Sequence, residues 1–375
     1  MPLDTVCQTQ SNYIKISPLI DKLDTKFEKQ VINWSSAASH KLLNFEERAF
    51  VQVIIEKDPI DVTNHQYNRI DFIYNIFLLP VVTFYNYLPY PISYQVSNGK
   101  SNEKKNLQPG QSTKLENAKI GSSLILEMEN YAKMTWYSSH IIEINDENTP
   151  STSNKKEENN IIEFRSKDAK IVTFVYNCVL ENHCLSFSLY APYWILNQTK
   201  LKLEYKFKGA NDEINEIDNE QIELPQFLKI NSKIFSSQKK SISIKVKCKG
   251  EESSEWSEDF LIDAVGNNGT IISKCREKTS DKYCEIGVDI RLSSTGLTKI
   301  IKLAPYYLLV NNTDFVLDVS ETSSNSGNNL TLMPNTITPF WPKNYVSKQK
   351  NSLKFRPKEN HDSASNNDAY SAPVW

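Results

Sequence analysis

The chain has 375 residues, with 43 Lys and Arg against 45 Asp and Glu and a formal net charge of −2. That balance excludes a nucleic-acid clamp, which carries a basic excess. With 39% hydrophobic residues, 18 Tyr, 16 Phe and only 10 Gly, the chain can fill real cores and is neither collagen-like nor wholly disordered. At ~100–200 residues per domain, the length predicts two to four domains or one array.

Strand signals come early. Phe50-Val-Gln-Val-Ile-Ile alternates well enough for a strand, and Ala is too rare for long helices. Phe72 to Ile92 then runs 21 residues without a charge. It contains Pro80, Pro89, Pro91, Asn75 and Asn86, which would be costly in a lipid-facing helix. Short buried strands are predicted there instead of a membrane span.

Further along, the chain repeats. Trp34 opens Trp-Ser-Ser, Trp136 opens Trp-Tyr-Ser-Ser and Trp256 opens Trp-Ser-Glu-Asp, and Trp375 is last. A second register consists of Asn86, Asn197 and Asn311. Two residues before each Asn stand Phe84, Ile195 and Leu309, and six after stand Ile92, Leu203 and Leu317. Even offsets are the period of a strand with one buried face. Proline turns follow at Pro109-Gly110, Pro225 and Pro334-Asn335, and then alternating strands at Leu124/Leu126, Ile242/Ile244/Val246 and Leu353/Phe355. Each unit therefore reads strand, Asn turn, strand, polar loop, Pro turn, strand, Trp.

The expected fold is all-β, a tandem array of β-sandwich modules of about 110–120 residues. The expected divisions are 1–33, a tail or the end of a preceding module; 34–136 with Asn86; 137–256 with Asn197; and 257–375 with Asn311, truncated at its end. Four stretches read as solvated connections: Asn145 to Asn160, Gly209 to Glu223, Ser320 to Asn329 and Lys358 to Ser371.

Chemistry is sparse. Cys7, Cys178, Cys184, Cys248, Cys275 and Cys284 form no CxxC pair, so no zinc site is expected. No basic stretch and apolar core follow Met1, and free thiols in a reducing compartment are expected. The sequons at Asn197 and Asn311 are then not glycosylation sites. His40, His65, His140, His183 and His361 make no two-His metal spacing. His183 and Cys184 are adjacent, but neighbours on a strand point to opposite faces, against a nucleophile pair. The acidic run from Asp212 to Glu220 lacks the glycine and final glutamate of a calcium loop. No metal, cofactor or catalytic residue is expected.

The repeated asparagines have two readings. A buried Asn at a strand end can satisfy several backbone groups at once and pin a turn. A row of them could instead line a peptide groove. The first is preferred, because buried polar networks usually specify architecture. Trp34, Trp136 and Trp256 are expected to be core aromatics of the repeats.

The stretch Glu255-Trp-Ser-Glu-Asp-Phe-Leu-Ile-Asp-Ala-Val-Gly, then Tyr283 to Gly287, Gly296-Leu-Thr-Lys-Ile and Pro305-Tyr-Tyr-Leu-Leu-Val-Asn-Asn-Thr resembles the VPS13 family of large lipid-transfer proteins, in its adaptor-binding, SHR-binding-like region. Ala191-Pro-Tyr-Trp-Ile-Leu-Asn-Gln-Thr and Leu88-Pro-Tyr-Pro-Ile resemble neighbouring repeats. The family region is a series of six β-sandwich modules, each with one characteristic Asn, and Asn86, Asn197 and Asn311 fall at that place. The resemblance implies a non-enzymatic module on the cytosolic face of organelles, bound by adaptor proteins that carry Pro-x-Pro peptides. It implies recruitment to membranes through those adaptors, a role in vacuolar and endosomal targeting and lipid transport at contact sites, and no nucleic-acid partner. The family's amino-terminal chorein segment and groove have no counterpart here, so a fragment without the lipid conduit is expected. Two other classes compete: a β-sandwich enzyme acting on glycans, which would need two facing carboxylates, and an extracellular Ig-like adhesion array, against which the cysteines fail to repeat with the unit.

Overall fold

The computed structural model describes residues 13–16, 30–33, 40–45, 49–59, 72–97, 103–139, 141–144, 161–181, 183–209, 213–217, 224–230, 234, 239–247, 253–266, 268–276, 281–321, 330–342 and 352–358. Two compact units emerge, Met1–Ala191 and Pro192–Trp375. Among the described residues the regular structure is β-strand throughout, except for a single helical residue, Ile234. Among the described residues no helix is long and apolar enough to cross a membrane.

The first unit contains β1 (Tyr13–Ile16), β2 (Gln30–Asn33), β3 (His40–Phe45), β4 (Ala49–Pro59), β5 (Phe72–Pro80), β6 (Val82–Asn86), β7 (Ile92–Ser97), β8 (Lys105–Leu107), β9 (Ser112–Lys114), β10 (Ser123–Tyr131), β11 (Met134–Ser138), β12 (Ile142–Glu143), β13 (Ile161–Ser166), β14 (Ile171–Glu181) and β15 (Cys184–Tyr190). The second contains β16 (Tyr193–Asn197), β17 (Leu203–Phe207), β18 (Asn215–Ile217), β19 (Gln226–Phe227), β20 (Ser241–Val246), β21 (Ser253–Ser254), β22 (Phe260–Leu261), β23 (Asn268–Arg276), β24 (Asp281–Leu292), β25 (Lys299–Pro305), β26 (Tyr307–Asn311), β27 (Leu317–Glu321), β28 (Leu330–Leu332), β29 (Thr336–Phe340) and β30 (Leu353–Pro357). The uncharged stretch from Phe72 is β5, β6 and the start of β7, three strands broken at Val81 and at the Pro89-Tyr-Pro turn.

The sequence repeat is a repeat of strand pairings. Each asparagine closes a strand, β6, β16 or β26, that pairs antiparallel with β9, β19 or β29. The following strand, β7, β17 or β27, lies between β8, β18 or β28 and β10, β20 or β30; β17 and β27 do so in sheets of their own, whereas β7 belongs to the same ten-stranded sheet as β6 and β9. A three-strand meander precedes each Asn strand: β3–β4–β5, β13–β14–β15 and β23–β24–β25. Its last arm does more than pair with its hairpin partner. β15 runs parallel to β6, with Leu185 opposite Val82 and Leu189 opposite Asn86. β25 likewise runs parallel to β16, with Ile301 opposite Ile195 and Leu303 opposite Asn197.

Alternation explains where the cores lie. In β15, Leu185, Phe187 and Leu189 are buried while the serines between them are half-buried. Phe84, Phe164, Phe174 and Phe187 are fully buried, with Phe84 against Phe187 at 5.2 Å and Phe164 against Phe174 at 5.0 Å. Each such ring contributes about 1.5–3 kcal/mol by leaving water. In the second unit one cluster takes in Ile195, Tyr205, Phe207, Ile244, Ile286 and Ile301, with Trp341 against it. The strands β26 and β29 are shallower: Leu308, Val310 and Ile337 remain 52%, 54% and 62% exposed.

Three expectations need correction. The acidic stretch read as a loop contains β18, because Asn215 and Ile217 turn inward while Glu216 between them reaches Lys247. The polar connection of the other units holds the equivalent short strands β8 and β28. Among the described cysteines, Cys178, Cys184 and Cys284 form no disulfide, but Cys275 is disulfide-bonded, so the free-thiol expectation does not extend to it.

Candidate functional site

The repeated asparagines are buried and engaged on both ends of their amides. Asn86 is 0% exposed. Its Nδ2 donates to the carbonyls of Tyr90 at 2.9 Å, Leu107 at 3.1 Å and Gln108 at 3.3 Å, and its Oδ1 accepts from the Leu88 amide at 3.0 Å. Asn311 repeats this at the same offsets. Its Nδ2 donates to Phe315, Leu332 and Met333 carbonyls at 2.8, 3.3 and 3.0 Å. Asn197, also 0% exposed, donates to the Leu201 carbonyl at 2.8 Å. At Asn86 and Asn311 one amide therefore closes the turn after the Asn strand and ties it to the end of the short strand β8 or β28. A buried amide with all its capacity used is an architectural lock.

Two locks carry a partner that the sequence reading missed. Thr199 Oγ1 donates to Asn197 Oδ1 at 2.6 Å and accepts from the Leu201 amide at 3.1 Å. Thr313 Oγ1 likewise donates to Asn311 Oδ1 at 2.7 Å. The signal was present as Asn-x-Thr, a pattern usually read only as a glycosylation acceptor; here the amide nitrogen faces inward and is occupied. The first lock has Leu88 at that position and uses its backbone amide alone.

Of the three aromatic positions, Trp34 lies outside the described residues. Trp136 is 2% exposed, donates from Nε1 to the Tyr131 carbonyl at 2.9 Å and packs against that ring at 5.5 Å. Tyr131 in turn meets Tyr90 at 5.1 Å, and burial followed by that neighbour pushes the Tyr90 hydroxyl up to about 12. Trp256 departs from the expected core position. It is half-buried, with Lys206 Nζ and Lys245 Nζ over its ring at 4.7 and 4.9 Å. The ring serves as a platform for cations on the outer face of β17 and β20.

Among the described residues, other polar groups of note have structural partners. His183 has φ 64° in the turn before β15, and the Cys184 thiol contacts Thr83 Oγ1 at 3.3 Å instead of the imidazole. Asp263 gathers Tyr193 Oη, Lys299 Nζ at 2.5 Å and the Lys240 amide at 3.0 Å. Burial alone would raise the Asp263 pKa, but these donors outweigh it and hold the carboxyl below its usual range. Burial first, and then the bond to Asp263, pushes the Tyr193 hydroxyl far up. A groove of about 550 Å³ crosses β23–β25, floored by Gly269, Gly287 and Ala304. Its one lining carboxylate among the described residues, Asp289, is 2.7 Å from Arg291. A glycan hydrolase would need two. Among the described residues no cluster of His, Cys, Asp or Glu could hold a metal.

Residues 1–367 match the family described as vacuolar-sorting associated protein 13, adaptor binding domain. The chain is 26% identical over 307 residues to mouse intermembrane lipid transfer protein VPS13A, covering 80% of this chain and 9% of that protein. It is 28% identical over 282 residues to mouse VPS13C (73% and 7% covered) and 27% identical over 291 residues to human VPS13C (74% and 7% covered). The chain thus spans less than a tenth of the length of these relatives. The match over almost the whole chain, on an all-β array with one asparagine lock per repeat, means that the chain belongs to the VPS13 adaptor-binding domain family.

Proposed function

We propose that the chain is the organelle-recruitment region of a VPS13-like intermembrane lipid-transfer protein, and that it acts by binding short Pro-x-Pro-type peptides of adaptor proteins, without catalysis. The observation that carries this reading is the family match over residues 1–367. Repetition supports it: locks at Asn86, Asn197 and Asn311 fix the turn beside the Asn strand in each repeat, so each repeat can offer strand edges to a peptide. An extended peptide would add main-chain bonds to a sheet edge for affinity and side-chain pockets for specificity. Proline would lower the cost of ordering it. The modules bounded near Trp34, Trp136 and Trp256 would each be one repeat. Localisation would be peripheral, on the cytosolic side of organelle membranes and at contact sites, with vacuolar or endosomal targeting. Lipid transport is what the relatives are named for, and would belong to the whole protein.

The test is binding of the purified chain to a library of Pro-x-Pro peptides, with proline-to-alanine peptides as controls. Saturable binding lost with the prolines is expected. A folded chain that binds no member, or binds the alanine controls equally, would sink the reading.

A further inference from the structure

The three repeats differ at one edge. The main-chain groups of β6 that face away from β9 are taken by β15: the Leu185 amide donates to the Val81 carbonyl and the Tyr87 amide donates to the Leu189 carbonyl, both at 2.9 Å. In β16 the same places are taken by β25: the Lys299 amide donates to Pro192 O at 2.9 Å and the Gln198 amide donates to Leu303 O at 2.8 Å. Counted from the locking asparagine, the matching groups in the third repeat are Tyr306 O, the amides and carbonyls of Leu308 and Val310, and the Asn312 amide. Among the described residues β26 pairs with β29 alone, and these groups have no strand beside them.

The side chains agree. Val81 is 5% exposed and Thr83, Tyr85, Trp194 and Leu196 are half-buried, whereas Tyr306, Leu308 and Val310 are 51%, 52% and 54% exposed. Ile337, opposite Val310, extends the apolar face. An open edge beside apolar side chains invites another strand.

We infer that the free edge of β26 is a docking site for one extended strand that runs parallel to it and carries the pattern apolar-x-apolar: the last arm of a meander from another module of this kind. The repeats themselves specify the occupant. Opposite the residue two before the asparagine stands Phe187 or Ile301, and opposite the asparagine stands Leu189 or Leu303. Phe187-Ser-Leu189 and Ile301-Lys-Leu303 are thus two copies of one key. The third lock would take the same key opposite Leu309 and Asn311. This inference stands apart from the adaptor reading, because it rests only on strand pairing.

The probe is a synthetic peptide of Lys299–Pro305, soluble through its two lysines, added to the full chain while amide hydrogen exchange is followed residue by residue. Binding should slow exchange at Leu308, Val310 and Asn312 about tenfold at a peptide excess of ten over Kd. Leu309, whose amide faces β29, should not change. A peptide with Ile301→Pro lacks the central donating amide and should have no effect. In the protein, Leu308→Pro removes an amide only from the free edge, where proline is tolerated, and should abolish the protection. The peptide control keeps the test sound if that variant folds poorly. A strand tethered within an array acts at about millimolar effective concentration. Unchanged exchange at about 1 mM peptide therefore overturns the inference. So does protection confined to β6 or β16, or a concentration-dependent dimer that covers β26 without peptide.

Discussion

Replacing a locking asparagine tests the architecture most directly, and the three locks should not respond equally. Asn86→Ala removes the partner of the Tyr90 and Leu107 carbonyls and of the Leu88 amide. Those residues are 5%, 3% and 1% exposed, so water cannot easily replace the lost side chain. At about 1 kcal/mol or more for each buried group left unpaired, the loss is about 3 kcal/mol. At about 2–4 °C per kcal/mol for a unit of this size, the first unit should melt roughly 6–12 °C lower. Asn311→Ala also orphans three carbonyls, but Phe315 and Met333 are 65% and 55% exposed and only Leu332 is buried. Solvent can satisfy the first two, so the expected cost is about 1 kcal/mol. Asn86→Asp should be worse than alanine, since it sets a charge against carbonyl oxygens in a dry site. Unit-resolved hydrogen exchange under increasing denaturant is the suitable assay, because a multi-unit chain need not melt in one step. Equal losses at Asn86 and Asn311, or no loss at Asn86, would refute the burial argument.

The two described tryptophans should separate in the same way. Trp136→Ala, which opens a cavity beside Tyr131, should cost about 3–5 kcal/mol, whereas Trp256→Ala, which removes only half-buried ring and two cation contacts, should cost about 1 kcal/mol; a denaturation series giving equal shifts would contradict the placement of Trp256. Asp263 makes the second unit acid-sensitive. Its folded pKa lies below its unfolded one, so its contribution is full above the unfolded value and is lost as pH falls through the folded value. Asp263→Asn should flatten the stability profile of that unit below about pH 4, and a profile as steep as in the parent chain would assign the acid response to other groups.

Much of this fold is legible in the sequence because its signals are local. Even spacings around Asn86, Asn197 and Asn311 report strands with one buried face, and proline marks the turns before β9, β19 and β29. What escapes is short or distant. β8, β18 and β28 have three residues each, too few for a period to show among polar neighbours. Thr199 and Thr313 look like ordinary loop residues until the asparagine beside them is known to point inward. Trp256 shares its motif with Trp136, yet a lysine on each neighbouring strand holds it at the surface. The parallel pairing of β15 with β6 joins residues too far apart in the chain for any local pattern to announce.

That pairing has a consequence for the order of events on the ribosome. β6 is complete at Asn86, but the strand that covers it begins at Cys184, roughly 100 residues later, which takes about 5–20 s to synthesise. Through that interval each newly made repeat presents a bare apolar edge, and it is relieved only when the next meander emerges. Translation speed and chaperone occupancy would therefore govern the yield of the array at each repeat in turn, and a pause placed just before a meander would prolong the most vulnerable state of the repeat before it.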